Sequence, residues 1–203
     1  MDVQTITAPD TELTLWPQVY SDSECCQLFA ELHQSLHWQQ DQIKIFGKVF
    51  DVPRLQAWYA DPGLSYQYSG IQLQPETWTP LLLDIRKQVE TQSQQSFNSV
   101  LVNLYRDGQD SNGWHADNEP ELGVNPVIAS LSLGETRRFR LKHRQAKDAS
   151  ISPITLDLKQ GSLLLMAGRT QSCWQHCITK TARTVQPRIN LTFRNIIDVT
   201  SPL

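Results

Sequence analysis

The sequence predicts an α+β fold: two helices lying against one side of a mainly antiparallel double sheet. Three observations carry that expectation. Apolar residues recur at helical spacing in two segments between Ser21 and Val89. From Asn98 onward the period shortens to two. The β-rich runs that follow are short and separated by Gly, Pro, Asn and Asp clusters, the pattern of a sandwich or jelly roll.

The first helix begins at Ser21, where Ser21 and Glu24 form an S-x-x-E capping box and Tyr20 is placed to staple onto Cys25. Cys25, Leu28, Phe29, Leu32 and Leu36 form its apolar stripe. The second has Thr79 as N-cap and Pro80 at the first helical position, runs through Leu82, Leu83, Ile85 and Val89, and ends in the polar stretch 91–96. Strands are expected at 99–105, 127–133, 138–142, 154–158, 162–166 and 188–193. Between the helices, 42–70 carries Gly47, Pro53, Pro62, Trp58, Tyr59, Tyr66 and Tyr68, which reads as strands and loops over one mouth of the sandwich.

At 203 residues with 39% hydrophobic content, the chain supports one sizeable core, so a single domain over 1–203 is expected. No run approaches the ~20 apolar residues of a membrane helix, and the start, MDVQTITAPD, has an acid where an export signal is basic and then apolar. A soluble protein of the cytoplasm, or of the nucleus in a eukaryote, is the expectation. Four cysteines, two adjacent and two four apart, do not resemble a disulfide framework, which suits a reducing compartment. Cys173 and Cys177 flank His176, but a lone C-x3-C lacks a second ligand pair, so ordinary thiols are expected over zinc ligands. The formal charge of −3 by itself suggests no polyanionic partner.

His115 and Asp117, two apart in WHADNE, share a face on an extended chain. Together with His176 they make a two-histidine, one-carboxylate set of the kind that holds Fe(II) in non-haem oxygenases, although H-x-D is common by chance and a lone downstream His is more often a hydrogen-bonded structural residue. The run PRINLTFR places Arg188, Asn190, Thr192 and Arg194 on one face and Ile189, Leu191 and Phe193 on the other. Two guanidinium groups turned into a sandwich interior need anions. Structural salt bridges are one answer; a small dicarboxylate, gripped by the arginine forks, is the other. Asn103 and Tyr105 share a strand face and offer donors to the same ligand.

N-L-Y-R-D-G (103–108), W-H-A-D-N-E (114–119), the His176 segment and P-R-I-N-L-T-F-R (187–194) together resemble the AlkB family of Fe(II)- and 2-oxoglutarate-dependent dioxygenases. F-G-K (46–48), V-P-R (52–54), Y-x-Y-S-G (66–70) and S-L-G-E-T-R-R-F (132–139) extend the likeness over about 43–196, in particular toward the members that repair alkylated DNA in duplexes. The resemblance implies a double-stranded β-helix core over 98–196 and a nucleotide-recognition lid over 42–70. It makes His115, Asp117 and His176 the iron ligands, and Arg188 the partner of the distal carboxylate of 2-oxoglutarate, assisted by Asn103 and Tyr105, with Arg194 and Thr192 lining the same pocket and Asn190 a hydrogen-bonding residue behind it. Tyr68 would stack on a flipped base opposite His115, beside Tyr66, Gln67 and Ser69. Phe46 would wedge into the vacated stack, flanked by Gly47 and Lys48, and Asn118 and Glu119 would face the base. The implied chemistry consumes O2 and 2-oxoglutarate, yields succinate and CO2, and hydroxylates the alkyl group of an N1-methyladenine or N3-methylcytosine type lesion, so that an aldehyde leaves and the base is restored.

A base inside a duplex must be extruded before its alkyl carbon can be reached, and a cationic alkylated base suits aromatic faces. Without the resemblance, Phe46, Tyr66 and Tyr68 read as ordinary packing. In RRFRLKHR, Arg138, Arg140, Lys142 and Arg144 repeat on one face every ~6.7 Å, a spacing suited to a phosphate backbone. Lys44, Lys48 and Arg54 extend that path near the wedge, and Lys180 and Arg183 lie on the far side. Asn118, where duplex-type relatives carry an acid, and the weakly basic 179–184 leave the preference for duplex or single strands open. DNA carrying alkylated bases is thus the expected partner of a monomeric enzyme. An RNA demethylase of the same family and a catalytically silent nucleic-acid-binding module are the alternatives.

Overall fold

The computed structural model describes residues 2–45, 47–64, 66–68, 71–73, 75–145 and 150–197, with backbone alone at 44–45, 66–68 and 71–73. In chain order the elements are β1 (Gln4–Ile6), β2 (Glu12–Trp16), α1 (Asp22–Ser35), β3 (Gln42–Ile45), β4 (Lys48–Asp51), β5 (Leu55–Ala60), β6 (Tyr66–Tyr68), β7 (Ile71–Leu73) and α2 (Pro80–Ser93). There follow β8 (Ser99–Tyr105), β9 (Asn112–His115), a 3-10 turn (Pro120–Leu122), β10 (Ile128–Gly134), β11 (Arg137–His143), β12 (Ile154–Leu158), β13 (Leu163–Ala167), a short α3 (Thr170–Cys173), β14 (Trp174–Ile178) and β15 (Arg188–Arg194). The strands form a seven-stranded sheet in the order β1-β2-β13-β10-β15-β8-β5, a four-stranded sheet in the order β12-β11-β14-β9, and two hairpins, β3-β4 and β6-β7. Every one of these pairings is antiparallel.

Both helices start where their caps place them. Ser21 Oγ accepts from the Glu24 N–H at 3.4 Å while Glu24 Oε2 accepts from the Ser21 N–H at 2.7 Å, and Thr79 Oγ1 accepts from the Leu82 N–H at 3.2 Å. The second helix ends at Gln94, which takes the left-handed conformation (φ 54°) common at helix C-termini.

Alternation divides the large sheet between two cores. Val100, Val102 and Leu104 of β8, Ala129, Leu131 and Leu133 of β10, and Ile189, Leu191 and Phe193 of β15 face α1 and α2, where they meet Cys25, Leu32, Leu36, Leu82, Ile85 and Val89. The opposite face contributes Leu101, Tyr105, Ile128, Leu164 and Met166 to a second cluster with Phe139, Leu141, Trp174 and Ile178 of the small sheet. Each fully buried side chain of this size contributes roughly 1.5–3 kcal/mol, so both faces of the large sheet are held. The polar positions of β15 are thereby fixed between the sheets.

The six strands given limits from the sequence lie within one residue of those observed; β1, β2, β9 and β14 fall in segments where no strand was expected. β1 and β2 extend the large sheet past β13, with Leu13 and Leu15 buried in the five-residue run ELTLW. β9 and β14 form half of the small sheet. The segment 42–70 does not lie wholly over the mouth, because β5 pairs with β8 along its whole length, from Leu55 opposite Leu104 to Ala60 opposite Ser99. In its run LQAWYA, Gln56 through Ala60 are all buried, so both faces of this edge strand are covered. The sheet core therefore draws on residues well before 98. All four cysteines are free thiols, and no helix among the described residues is long and apolar enough to cross a membrane.

Candidate active site

His115 ends β9 directly opposite His176 of β14, their ring centroids 4.2 Å apart. Asp117 lies just beyond the strand, so alternation alone does not place it. Its N–H donates to Gln171 Oε1 of α3 at 3.0 Å, and its Oδ1 accepts from Arg194 Nη2 of β15 at 3.0 Å. One ligand atom from each of His115, Asp117 and His176 lies within 4.8 Å of the others.

The proton placement suits a cation. His115 Nδ1 lies 2.7 Å from the Gly113 carbonyl, which can only accept, so the neutral ring carries its proton there and keeps the Nε2 lone pair; Asn112 Nδ2 lies 3.2 Å from that atom. A ring held through Nδ1–H to a backbone oxygen is the usual posture of a metal-ligating histidine. Burial pulls His115 below its ordinary value, against Asp117 and the Gly113 carbonyl, and burial together with His115 pushes His176 down to about 3. Both rings are therefore neutral near pH 7. Burial alone would raise the Asp117 carboxyl, but Arg194 and the two imidazoles outweigh it and hold it at about 2. Asp117 Oδ2 is buried without a hydrogen-bond partner among the described residues. Two neutral imidazoles and an ionised carboxylate with one oxygen uncommitted fit a divalent cation.

The registers of β8, β15 and β10 set the adjoining wall: Arg188 stands opposite Tyr105 and Asn190 opposite Asn103, with Ser132 across from Asn190 on the other side. Arg188 is 1% exposed; Nη2 donates to Ser132 Oγ at 2.9 Å, while Nε and Nη1 are buried without hydrogen-bond partners among the described residues. Burial draws its pKa down to about 10, against the pull of the Tyr105 hydroxyl and with Arg137 adding to the fall. The guanidinium stays charged and pairs with no carboxylate among the described residues, so an acidic ligand in this cavity would meet a cation still open to an anion. Asn103, Tyr105, His115, Asp117, His176, Arg188, Asn190, Thr192 and Arg194 line one common cavity between the sheets.

A model of the 2OG-Fe(II) oxygenase superfamily matches residues 12–194. The chain is 37% identical over 189 residues to the DNA oxidative demethylase ALKBH2 of Bos taurus, covering 90% of this chain and 68% of the relative. It is 38% identical over 192 residues to the alpha-ketoglutarate-dependent dioxygenase alkB homolog 3 of the same species, at 92% and 66% coverage. Against the human DNA oxidative demethylase ALKBH2 it is 38% identical over 186 residues, at 88% and 71%. The chain belongs to the AlkB family of 2OG-Fe(II) oxygenases. It spans about two thirds of the length of these relatives. The solved structure of OsALKBH1 shares the fold, with a TM-score of 0.62 at 16% identity, covering 96% of this chain and all of that one.

AlkB-family membership implies Fe(II) and 2-oxoglutarate, and both fit the residues present: the first the His115, Asp117 and His176 set, the second the cavity beside Arg188. The polar groups expected around the cosubstrate do not all face it freely. Asn190 Nδ2 donates to Ser130 Oγ and to the Leu131 carbonyl, both at 2.9 Å, and its Oδ1 lies 3.1 Å from the Thr192 hydroxyl. Its amide is spent inside the sheet, so it braces the wall. Of Ser130, Ser132 and Gln171, which complete the site, the two serines were marked in the sequence only by alternation with leucine in IASLSLG, and Gln171 carried no local signal.

Arg54 departs from the expected phosphate path. It is 4% exposed, its Nε donates to Asn103 Oδ1 at 2.8 Å and its Nη1 to the Ser111 carbonyl at 3.2 Å. A guanidinium so enclosed does not meet a phosphate at the surface. Arg138 and Arg140 are exposed and Lys142 half-exposed on the outer face of β11, as alternation requires, but Arg144 lies past the strand's end, in a turn. Arg138 is answered by Asp157 at 3.5 Å, and Arg140 and Lys142 lie over the ring of Trp114, 5.8 and 4.3 Å from its centre. Gly47, at φ 79°, and Lys48 are exposed at the β3-β4 turn; Asn118 is exposed and Glu119 half-buried. Phe46 and Ser69 lie outside the described residues, as do the side chains of Lys44, Tyr66, Gln67 and Tyr68.

A second group, Asp10, His143 and Cys173, also brings ligand atoms within 4.8 Å of one another. Here the Gln145 N–H donates to His143 Nδ1 at 3.1 Å, which leaves the neutral ring's proton on Nε2, 3.4 Å from Asp10 Oδ2. Arg169 donates to the other oxygen at 2.8 Å. These contacts tie the β1-β2 loop to the end of β11 and do not present converging lone pairs to a cation.

Proposed function

We propose that this AlkB-family dioxygenase removes alkyl groups oxidatively from nitrogen atoms of DNA bases, of the N1-methyladenine and N3-methylcytosine type, and so repairs them directly. The observation that carries the reading is one cavity in which His115, Asp117 and His176 come together beside Arg188, whose Nε and Nη1 have no hydrogen-bond partner among the described residues. The names of the similar ALKBH2 proteins support the choice of DNA. Fe(II), 2-oxoglutarate and O2 together supply hydroxylation of a C–H bond coupled to decarboxylation of the cosubstrate.

Each residue's part follows from its place. His115, Asp117 and His176 would hold Fe(II), and Arg194 keeps the Asp117 carboxylate ionised and aimed. Arg188 would take the distal carboxylate with a fork that Ser132 holds still. Phe139, 5.1 Å from the His176 ring and buried, helps keep water from that side. The protein's main contribution is to fix geometry and place the reacting C–H bond. The double-stranded β-helix reading agrees with two antiparallel sheets enclosing the site, and the lid reading now rests on the two hairpins. Every residue of β4, Val49 and Phe50 included, is exposed on a two-stranded ribbon, a state that suits a partner's cover.

The test is methyl release. Protein loaded anaerobically with Fe(II) and 2-oxoglutarate, then given O2, is expected to yield formaldehyde and succinate with an oligonucleotide carrying N1-methyladenine or N3-methylcytosine. Yields no higher than those of His115→Ala refute the enzyme reading. Higher turnover on a matched RNA than on DNA moves the substrate to RNA.

A further inference from the structure

Arg54 is buried at the junction of β4 and β5, and its bonds lead to the cosubstrate wall. Its Nε donates to Asn103 Oδ1 at 2.8 Å, and Gln56 Nε2, two residues along β5, donates to the same oxygen at 3.1 Å. A guanidinium has no acceptor, so chemistry dictates which end of the Asn103 amide faces it. With Oδ1 held by two donors, Nδ2 is the end left for the cavity, which Asn103 lines. Asn190, directly across the ladder, offers no such group, because both ends of its amide are bonded within the sheet. Arg188 adds Nε and Nη1 to the same wall. A wall of donors selects a ligand of acceptors, and a carboxylate meets that requirement.

The clamp on Arg54 is itself braced. The Ser111 N–H donates to the Pro53 carbonyl at 2.8 Å and the Ser111 carbonyl accepts from Arg54 Nη1 at 3.2 Å, locking the junction onto the chain one residue before β9. The side chain is therefore not free to swing outward to a phosphate. If Arg54 were lost, Gln56 alone would oppose a turn of the amide, and the turned amide would present its oxygen to a carboxylate.

We infer that Arg54, with Gln56, is a positioning residue for 2-oxoglutarate: it holds the Asn103 amide so that Nδ2 is always the group offered to a carboxylate of the cosubstrate. This rests on reading the cavity as the 2-oxoglutarate site.

The experiment is a double-mutant cycle on binding. Mn(II)-loaded protein, without O2, is titrated calorimetrically with 2-oxoglutarate for wild type, Arg54→Met, Asn103→Ala and the double variant, and Mn(II) affinity and oligonucleotide affinity are measured beside it. Arg54→Met is expected to weaken 2-oxoglutarate about tenfold or more, since a hydrogen bond to a charged group is at stake. Mn(II) affinity stays level, and in the Asn103→Ala background the Arg54 change costs nothing further. Should Arg54→Met not fold, Gln56→Leu carries the same prediction with a smaller loss that also vanishes without Asn103. Additive losses, an unchanged 2-oxoglutarate affinity, or a loss confined to oligonucleotide binding each overturn the assignment. If wild type takes up Mn(II) but no 2-oxoglutarate, the cavity reading falls and this inference with it; if wild type binds and Arg54→Met binds equally, this inference falls alone.

Discussion

Arg194 reaches Asp117 across the cavity, Nη2 to Oδ1 at 3.0 Å, with side chains only 4% and 1% exposed. The pair splits the carboxylate: one oxygen is fixed by β15, and the other is buried without a hydrogen-bond partner among the described residues. Arg194→Met removes the brace and leaves the carboxylate's charge opposed by burial. Metal affinity is expected to fall roughly 10–100-fold, the usual effect of losing a group that holds a ligand, and titration of Co(II) or Mn(II) into the apoprotein measures it. Stability of the apoprotein should also drop, by about 3–5 kcal/mol, as when any buried pair loses one member. Metal binding equal to wild type refutes the bracing role.

Gln171 holds the same aspartate by its backbone. Its Oε1 takes the Asp117 N–H at 3.0 Å, and the side chain is 1% exposed within α3. Gln171→Leu keeps the packing volume but strands that N–H, a cost of about 1–3 kcal/mol. Urea denaturation should show this loss, together with weaker binding of Mn(II), because the residue between His115 and Asp117 is then free to shift the ligand. A normal metal affinity in a destabilised variant would leave Gln171 a packing residue only.

What the sequence disclosed depended on how far the information lay along the chain. The face of β15 was legible because Arg188, Asn190, Thr192 and Arg194 alternate with three apolar residues inside one run. The helix starts were legible because caps act over three residues. Arg54 was not, because V-P-R carries no trace of an asparagine 49 residues away. Placing it required knowing that β5 pairs with β8, with Gln56 opposite Asn103. Asp117 fell between these cases: H-x-D placed it beside His115 in sequence, but Gln171 and Arg194, from two distant elements, put it in the site.

The outer face of β11 makes a prediction about salt. Arg140 and Lys142 lie over Trp114, one residue before His115, so a phosphate strand crossing them would lie one strand pair away from the metal ligands. Counterion release gives a slope of log affinity against log salt of about −0.9 per phosphate contact on B-DNA. Arg140→Ala and Lys142→Ala should each make the slope shallower by about one contact, weaken binding equally across sequences, and leave 2-oxoglutarate affinity alone. Arg138→Ala should do less, since Asp157 already answers that charge. Fluorescence anisotropy of a labelled oligonucleotide at several salt concentrations reads all three, and unchanged slopes would remove β11 from the interface.

Asp110 links fold stability to pH. Its carboxylate accepts from Arg106 Nε at 2.7 Å, Arg106 Nη2 at 2.8 Å and the Arg106 N–H at 2.9 Å, closing the turn after β8, and its carbonyl accepts from Arg137 at 2.9 Å. Burial alone would raise the carboxyl, but the Arg106 bonds and the charges of Arg106 and Arg137 outweigh it and hold it below the ordinary range. The unfolded chain then binds the proton more readily than the folded one, so stability from this group is fully present above about pH 4, the ordinary aspartate value, and is lost as pH falls through the lower folded value. Asp110→Asn keeps an oxygen for the backbone N–H but carries no charge to titrate. The stability gap between wild type and Asp110→Asn, from urea denaturation at a series of pH values, should be widest near neutrality and narrow steadily below about pH 4. A gap that holds constant on acidification would show that the Arg106 pairing adds nothing to the folded state's preference for the ionised carboxylate.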